Sequence, residues 1–378
     1  MPDEKLTAYR GGKALRRGWT TGSCAAAASQ AAAVLLLTGI APPEIHLHTP
    51  GGITFCLPVE DAHMSGNAAV CTVRKDAGDD PDITNGVRIT ASVRRIEKGV
   101  TIEGGAGVGR ITRPGLAMPV GEAAINPGPR QQIADAVHRA AQQNGYGGGF
   151  SVTISVKDGE ALAAQTYNGH LGIVGGISIL GTSGIVEPMS EKALVDTIRL
   201  ELDSLYAQGQ RIAFLCPGNY GADFARDTLG LDLERAVKCS NFIGEAFDHA
   251  AYRGYPEILL VGHAGKLVKM AAGVMNTHSS VADARQEIFT AHAALCGAPR
   301  ETLEGLMAAI SVDACVELLD EVNLRQPVLS RIGREMETRI ALRMKGQARV
   351  EFIMFTGKYG VLAESAGVRA LCERLKLQ

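Results

Sequence analysis

The segment with the clearest chemical potential is Gly18-Trp19-Thr20-Thr21-Gly22-Ser23-Cys24, which leads directly into an alanine-rich run. Thr20, Thr21 and Ser23 lie at the start of a predicted helix, where a hydroxyl group can accept a hydrogen bond from the free backbone N–H groups. Those N–H groups can instead bind an anion. One hydroxyl is enough for a cap, so three hydroxyls beside a glycine indicate either capping alone or a binding site.

A second feature is the acidic segment Asp76-Ala77-Gly78-Asp79-Asp80-Pro81-Asp82, which lacks the spacing of a calcium loop. A solvated turn is one interpretation, because acidic clusters are usually hydrated. The other is catalytic: the neighbouring charges would raise the pKa of one carboxylate and let it accept a proton. The candidate catalytic residues are Asp76, Asp79 and Asp80.

Two glycine-containing loops each follow a predicted buried strand. In an open α/β sheet, ligands bind at the carboxyl ends of the strands, so the pair predicts a cofactor site. The candidate cofactor-binding residues are Pro217, Gly218, Asn219 and Gly221 in the first loop and Gly262, His263, Gly265 and Lys266 in the second.

Neither standard phosphate-binding fingerprint is present in these glycine-rich segments. Residues 262–266 lack the spacing of a P-loop, and Leu267 stands where a hydroxyl residue would bind magnesium. Residues 104–109 lack the Gly-x-Gly-x-x-Gly phase of a dinucleotide-binding turn. A nucleoside-containing ligand without a triphosphate remains open.

The composition limits the classes of partner and location. A formal net charge of -2 provides no global field for nucleic acid or an anionic membrane. The apolar run over residues 24–37 is shorter than the roughly 20 residues that span a bilayer, and it starts too far into the chain for a cleavable signal. We therefore expect a cytoplasmic protein. The eight cysteines are scattered singly and His46-x-His48 has no further ligand nearby in sequence, so we expect no protein-bound metal.

The pattern of elements predicts two domains of mixed α/β class. Residues 1–190 are expected to form an α+β domain with mixed or antiparallel strands, preceded by a loosely held arm over residues 1–17. Residues 191–378 are expected to form a Rossmann-like α/β domain with a mostly parallel sheet and a last helix over 362–375. Between them, the apolar, glycine-dense segment 171–186 predicts close backbone packing rather than a flexible linker.

Taken together, these segments resemble the CbiD family of cobalt-precorrin-5B C1-methyltransferases, in order and over nearly the whole chain. The departures are Trp19, where tyrosine is commoner, and Ser280, where arginine is frequent. The matching segments are 18–26, 75–82, 107–110, 125–127, 171–190, 217–221, 238–244 and 262–283.

The resemblance implies methyl transfer from S-adenosylmethionine to carbon C1 of cobalt-precorrin-5B, giving cobalt-precorrin-6A in anaerobic cobalamin biosynthesis. The cobalt would arrive within the tetrapyrrole substrate. The 217–221 and 262–266 loops would then bind S-adenosylmethionine, and the acidic segment would face the tetrapyrrole. The substrate-binding candidates are Thr20, Thr21, Ser23, Arg110 and His278.

Two other classes of function stay open from the residues alone. A phosphotransferase would use Gly262 to Lys266 and bind ATP with magnesium, and a non-catalytic carrier would bind the corrinoid without affinity for S-adenosylmethionine. Homo-oligomerisation and transient handover of substrate to other corrin-pathway enzymes are compatible with the methyltransferase interpretation.

Overall fold

In a computed structural model the chain divides into two compact units, residues 1–191 and 192–378. The structure describes residues 6–377. Both units combine helices with β-sheets, which confirms the two-domain, mixed α/β organisation expected from the sequence.

From residue 6 onward, where the described chain begins, unit 1 contains fourteen strands and three helices. The strands are β1 (Thr7–Arg10), β2 (Lys13–Arg16), β3 (Gly18–Trp19), β4 (Glu44–His48), β5 (Thr54–Ser65), β6 (Ala68–Arg74), β7 (Arg88–Ile96), β8 (Val100–Gly104), β9 (Gly107–Val108), β10 (Arg110–Ile111), β11 (Gly149–Val156), β12 (Ile173–Val174), β13 (Gly176–Ile177) and β14 (Ile185–Val186). The helices are α1 (Thr21–Thr38), α2 (Pro127–Gln143) and α3 (Gly159–Ala163).

The main sheet of unit 1 has the strand order β4-β5-β6-β7-β11-β8. Its neighbours are antiparallel except for the parallel pair β11–β8. Helix α1 contacts both this sheet and α2, and its residues from Thr21 to Ala33 are buried. Alanine side chains are small enough to let the helix approach both neighbours closely.

Among the described residues, α1 is long and apolar enough to cross a membrane, but 78% of it is buried inside the fold. Packing against the sheet and α2 accounts for its apolar composition.

The predicted N-terminal arm is wrong for residues 6–17, whereas residues 1–5 lie outside the described part of the chain. Strands β1 and β2 form an antiparallel hairpin with Thr7 opposite Arg16. Arg16 in turn binds Asp76 and Asp79 through hydrogen bonds. Partners about 60 residues away therefore order a segment whose local composition predicted a loose tail.

The apolar glycine segment packs as predicted, backbone against backbone. Strand β13 pairs in parallel with β9, so that Gly176 lies opposite Gly107. A Cβ atom at Gly176 would lie 2.2 Å from the carbonyl oxygen of Gly107, well inside van der Waals contact. Glycine is therefore required at position 176 by the close approach of the two strands.

We expect Gly176→Ala to lower the stability of unit 1 by about 3 kcal/mol, because the added methyl group forces the two backbones apart. Gly169→Ala is the matched control, since in the described part of the chain no atom lies within 4 Å of a Cβ placed there. Urea unfolding followed by emission of Trp19, the single tryptophan, measures both variants. Equal midpoints for the two variants would contradict the tight β9–β13 contact.

Unit 2 contains five strands and nine helices in its described residues, counting α4 from the last residue of unit 1. The strands are β15 (Ile212–Cys216), β16 (Ala236–Lys238), β17 (Glu257–His263), β18 (Arg349–Thr356) and β19 (Gly360–Glu364). The helices are α4 (Glu191–Ala207), α5 (Asn219–Asp227), α6 (Ile243–Arg253), α7 (Ala264–Leu267), α8 (Arg285–Leu295), α9 (Arg300–Ala308), α10 (Val312–Glu321), α11 (Arg325–Met344) and α12 (Val368–Lys376).

The sheet of unit 2 has the order β16-β15-β17-β18-β19. Its first four strands are parallel and β19 is antiparallel to β18. Successive strand residues point into two separate apolar cores, which α5 and α12 cover on one face and α6 and α11 on the other. Coverage on both faces explains why the strands are continuous apolar runs.

The predicted last helix over 362–375 is partly wrong. Residues 360–364 form the edge strand β19, and the helix begins only at Val368. Gly360 has a φ of 66°, a left-handed conformation that suits glycine and reverses the chain after β18. Because of this turn, residues 360–364 pair with β18 as a strand, although their apolar spacing also fits a helix.

Candidate functional site

The strand order of unit 2 reverses direction between β15 and β17. From β15 the chain moves outward to β16, and it then returns to place β17 on the other side of β15. Such a topological switch point opens a crevice at the carboxyl ends of the two central strands, where ligands bind in this class of sheet. The loops after these strands, residues 217–221 and 262–266, are the two predicted cofactor loops, and we call them the switch-point loops.

The first switch-point loop turns sharply into α5. Gly218 precedes the helix with a φ of 123°, a conformation that is essentially restricted to glycine. A Cβ at Gly221 would lie 2.5 Å from the carbonyl oxygen of Val261, so α5 packs directly on β17. Among the described residues, no side chain caps the start of α5, and its first backbone N–H groups are available to a ligand.

The second switch-point loop is tied to the first by Lys266. The Lys266 Nζ donates hydrogen bonds to the carbonyl oxygens of Pro217 (2.7 Å) and Ser240 (3.2 Å). His263 accepts a hydrogen bond from the Gly265 N–H at 3.1 Å and thereby caps α7. Burial lowers the pKa of His263, although the nearby Asp313 charge opposes this shift. The structure thus brings the two predicted cofactor loops into direct contact.

The start of α1 is buried, and its hydroxyl groups have partners within unit 1. The Thr20 hydroxyl caps the helix by accepting from the Ser23 N–H. Thr21 accepts from the Leu180 N–H at 2.9 Å, and Ser23 donates to the Gly184 carbonyl at 2.7 Å. In this conformation the Thr21 and Ser23 hydroxyls hold the 178–184 segment against α1, whereas the Thr20 hydroxyl caps the helix.

The acidic segment is also engaged by the chain itself. Asp76 forms a bidentate pair with Arg16 at 2.6 and 2.8 Å, and Asp79 accepts from the Arg16 N–H. Asp80 accepts from the Met189 N–H at 2.9 Å. These carboxylates hydrogen-bond to residues 16 and 189. The acidic segment therefore connects two other segments of unit 1 and is more than a solvated turn.

The raised pKa expected of a catalytic carboxylate is wrong for Asp76. The hydrogen bond from Arg16 lowers its pKa more than burial raises it, with help from the Gly78 N–H. A carboxylate with a lowered pKa is a weaker base, so this environment favours a positioning role for Asp76.

We expect Asp76→Asn, Asp79→Asn and Asp80→Asn each to reduce stability by about 1 kcal/mol, since each loses a charge-assisted hydrogen bond. Turnover per folded molecule should stay within about twofold of the parent value. Thermal unfolding and turnover of each variant separate the two roles. A fall of about 100-fold in turnover at an unchanged melting temperature would instead establish a catalytic carboxylate.

Two other predicted substrate contacts are exposed side chains. Arg110 in unit 1 pairs with Glu103 at 3.1 Å and donates to the Gly121 carbonyl. His278 in unit 2 hydrogen-bonds through Nδ1 to the Ser280 hydroxyl at 2.7 Å. Both have room to contact a ligand.

Neither Ser279 nor Ser280 caps a helix, although hydroxyl residues at this place in the sequence favour a cap. Helix α8 begins only at Arg285, after Ala284 in a left-handed conformation. Residues 276–284 are an irregular segment, held in part by hydrogen bonds from the buried Lys269 to the carbonyls of Thr277 and Ala282.

Lys269 is a further residue of this region that the predicted loops do not include, and its spacing from Lys266 is the sequence signal for it. Lys269 follows Lys266 by three residues in the continuous helical stretch from α7 through Val268–Ala272. Side chains three apart in a helix lie on one face. Two lysines at this spacing, just after a switch-point strand, indicate a cationic surface at the sheet's carboxyl edge.

One group of potential metal ligands comes together in the described residues. Glu44, His46 and Cys56 lie on the exposed face of β4 and β5, with one ligand atom of each within 4.8 Å of the others. Cys56 is directly opposite His46 in the strand register. Sequence spacing could not reveal this group because its members lie on two strands.

Comparison with known proteins assigns the chain to a family. The CbiD family pattern matches residues 8–188, and the pattern of the CbiD C-terminal domain matches residues 276–366. The chain is 50% identical to a cobalt-precorrin-5B C(1)-methyltransferase of Ruminiclostridium cellulolyticum, over 92% of this chain and 90% of that protein. It is 40% identical to the protein of that name from Citrobacter koseri, with both chains covered completely. The chain therefore belongs to the CbiD family.

A crystal structure of the cobalamin biosynthesis protein (cbiD) from Archaeoglobus fulgidus is also similar. It shares 30% sequence identity with this chain, covering 75% of this chain and 88% of that one, with a TM-score of 0.41.

Proposed function

We propose that this chain is a methyltransferase that acts on carbon C1 of cobalt-precorrin-5B and forms cobalt-precorrin-6A. The observation that carries this function is 50% identity to a relative named for that activity, over about nine-tenths of both chains. A second relative of the same name aligns over the full length of both proteins, so the match includes both units.

The methyl donor in this proposal is S-adenosylmethionine, bound by unit 2. The parallel strands, which helices cover on both faces, support a Rossmann-like fold for this unit, and the switch-point loops would form the predicted crevice. The free N–H groups at the start of α5 would bind polar groups of the donor. The tight turn at Gly218 lets the donor approach the backbone closely.

In this reaction the side chains need mainly to align the two reactants and to exclude water. The sulfonium donor supplies an already activated methyl group: the S–CH₃ bond breaks as the new bond to C1 forms, and the electron pair stays on sulfur. The residues around the site must hold the two reactants in line, which by itself provides a large rate gain. No covalent nucleophile is needed, consistent with the absence of a nucleophile motif in the sequence.

Substrate contacts are assigned by exposure. Arg110 and His278 would face the tetrapyrrole, because they are the predicted contacts with exposed side chains. The hydroxyls of Thr21 and Ser23 would act indirectly by holding residues 178–184, and that of Thr20 by capping α1. We place the reaction in the cytoplasm, which the burial of α1 as a core helix supports.

Isotope transfer tests the proposed reaction directly. The protein is incubated with cobalt-precorrin-5B and S-adenosylmethionine labelled with ¹³C in its methyl group, and the product is examined by NMR. We expect one labelled methyl group at C1 and one equivalent of S-adenosylhomocysteine. No label transfer, under conditions in which the Citrobacter koseri relative converts the same substrate, would refute the assignment.

Calorimetry distinguishes the two other classes of function. S-adenosylhomocysteine should bind, whereas ATP with magnesium should not. Binding of ATP with magnesium alone would support a phosphotransferase. Binding of the tetrapyrrole without affinity for S-adenosylhomocysteine, and without turnover, would support a carrier.

A further inference from the structure

A cleft of about 390 Å³ lies in unit 2 beside the switch-point loops. Three segments line it: the loop after β16, the helical stretch that contains α7, and the irregular segment that leads into α8. Its lining includes Ser240, Lys266, Lys269, Thr277 and Arg285.

The cleft is strongly basic. Lys266, Lys269 and Arg285 all line it, and within residues 6–377 Asp283 is the one carboxylate paired with any of the three. Asp283 forms a close bidentate pair with Arg285 and lies 3.7 Å from the Lys269 Nζ. A single carboxylate leaves most of this positive charge without a counterion.

Both lysines are desolvated and donate to neutral oxygens. Lys269 is 3% exposed and its Nζ donates to the carbonyls of Thr277 and Ala282. Lys266 is half-buried and donates to the carbonyls of Pro217 and Ser240. Carbonyl oxygens orient an ammonium group without neutralising it, and buried charges usually have a charged partner. An anion in the cleft would supply that partner for Lys266, which pairs with no carboxylate among the described residues, and would add to Asp283 beside Lys269.

A buried hydroxyl at the cleft has no partner. Thr277 is 4% exposed, and its Oγ1 makes no hydrogen bond in the part of the chain that the structure describes. Buried polar groups in folded proteins are nearly always satisfied, and an exception needs an explanation. Because Thr277 lines the cleft, a bound oxygen acceptor would satisfy this hydroxyl.

The backbone around the cleft adopts conformations that cost energy. Ser240 and Ala284 are non-glycine residues with φ of 52° and 50°. Ser240 lines the cleft, and Ala284 directly precedes Arg285. Such conformations are concentrated at ligand sites, where the surrounding structure enforces them. Here the conformation of Ser240 sets the position of its carbonyl oxygen, which accepts a hydrogen bond from Lys266, and that of Ala284 sets the position of the Arg285 side chain.

We propose that this cleft is a carboxylate-binding subsite in which Lys266, Lys269, Arg285 and the Thr277 hydroxyl bind one carboxylate arm of a reactant. This assignment rests on the proposed function, which supplies two sources of that chemistry. One is the amino-acid carboxylate of the methyl donor, and the other is an acetate or propionate arm of the tetrapyrrole. Charge-assisted hydrogen bonds from several cations give such a site its strength.

Binding of three probes to four proteins tests the subsite. The probes are S-adenosylhomocysteine, its decarboxylated analogue, and the polycarboxylate porphyrin cobalt uroporphyrin. The proteins are the parent chain, Lys266→Met, Thr277→Val and Arg300→Gln. Arg300 is a highly exposed cation of unit 2 that is not among the cleft residues, so its variant controls for net charge. Circular dichroism verifies that each variant is folded. If Lys266→Met disturbs the loops, Thr277→Val still tests the subsite, because valine has nearly the same side-chain shape as threonine.

If the donor carboxylate occupies the cleft, Lys266→Met lowers the affinity for S-adenosylhomocysteine about tenfold or more and leaves the affinity for the decarboxylated analogue unchanged. If a tetrapyrrole arm occupies the cleft, the same variant lowers the affinity for cobalt uroporphyrin instead. Thr277→Val gives a smaller loss for the same probe, and Arg300→Gln gives none. Either pattern supports the subsite, and the probe that loses affinity identifies the source.

Unchanged affinity of every probe in folded Lys266→Met and Thr277→Val would overturn the subsite. An equal loss in Arg300→Gln would overturn it as well, since the effect would then be one of net charge. The methyl-transfer assay keeps the two proposals separate. A parent protein that methylates cobalt-precorrin-5B, with both Michaelis constants unchanged in the variants, would retain the function and remove the subsite.

Discussion

Replacing Glu201 with glutamine should make unit 2 more stable at pH 8 and remove a steep loss of stability that the parent protein shows as the pH rises. Glu201 lies on α4 and is 8% exposed. Burial raises its pKa to about 8, although the charge and backbone N–H of Lys238 oppose the shift. The parent protein therefore folds with a neutral, protonated Glu201 at pH 7.

The sign of the effect follows from proton binding. Between the unfolded pKa of about 4.5 and the folded pKa of about 8, the folded state holds a proton that the unfolded state has released. Stability contributed by Glu201 is thus present at low pH and falls by about 1.4 kcal/mol for each pH unit across this window. Glutamine carries no charge at any pH and can still accept from the Lys238 N–H, so its variant should show a much flatter profile.

Hydrogen exchange of β15 and β17 in urea, measured from pH 5 to 8.5, reports the stability of unit 2. The emission of Trp19 reports unit 1 in the same samples and should respond equally in both proteins. Glu373→Gln, at an exposed carboxylate of α12, is the control and should reproduce the parent profile. Parallel pH profiles for the parent and Glu201→Gln would show that Glu201 ionises normally.

The second large effect is expected at Lys75, where we predict that Lys75→Met destabilises unit 1 by about 3–5 kcal/mol. Lys75 is 2% exposed and pairs with Asp82, and its Nζ also donates to the Thr84 hydroxyl at 2.7 Å. Removing the ammonium leaves Asp82 as a partly buried carboxylate without its counterion. That uncompensated charge, rather than a lost contact, is the main source of the penalty.

A double variant isolates the cause. Adding Asp82→Asn to Lys75→Met removes the unpaired charge, while asparagine can still accept from the Thr84 N–H and hydroxyl as Asp82 does. We expect the double variant to recover a large part of the lost stability. Urea unfolding followed by Trp19 emission is the measurement, because the Trp19 indole donates to the carbonyl of Arg74, next to Lys75. If the stability loss of the double variant equalled the sum of the losses in the two single variants, Lys75 and Asp82 would not be energetically coupled.

The pH dependence of this pair runs opposite to that of Glu201. Burial alone would raise the pKa of Asp82, but the charge and hydrogen bond of Lys75 and the two hydrogen bonds from the Thr84 hydroxyl and N–H lower it overall. The stability that Asp82 contributes is therefore present above its unfolded pKa of about 3.9 and is lost as the pH falls through its folded pKa. Acid should consequently destabilise unit 1 in the parent protein more than in the double variant.

Local patterns predicted most strands of the two main sheets, together with α1, α2, α4 and α6, because the causes of these elements are local. The alanine run with a hydroxyl cap and a terminal Gly39 predicts α1, and the alternation of apolar residues predicts β6 and β7. Failures occurred where distant partners intervene. The hairpin β1–β2 joins the fold through Arg16 and Asp76, and β19 exists because β18 offers it a pairing edge.

The sequence by itself determined the family, the two units, most strands of the two main sheets, and the two loops at the carboxyl ends of buried strands. Only the tertiary structure decided that these loops flank a switch point, since strand order depends on contacts between residues far apart in the chain. It also decided which polar groups are already occupied: Asp76 is paired with Arg16, whereas Thr277 is buried without a partner in the described chain. Burial and hydrogen-bond partners set the chemistry of a side chain, and both are properties of the packed molecule.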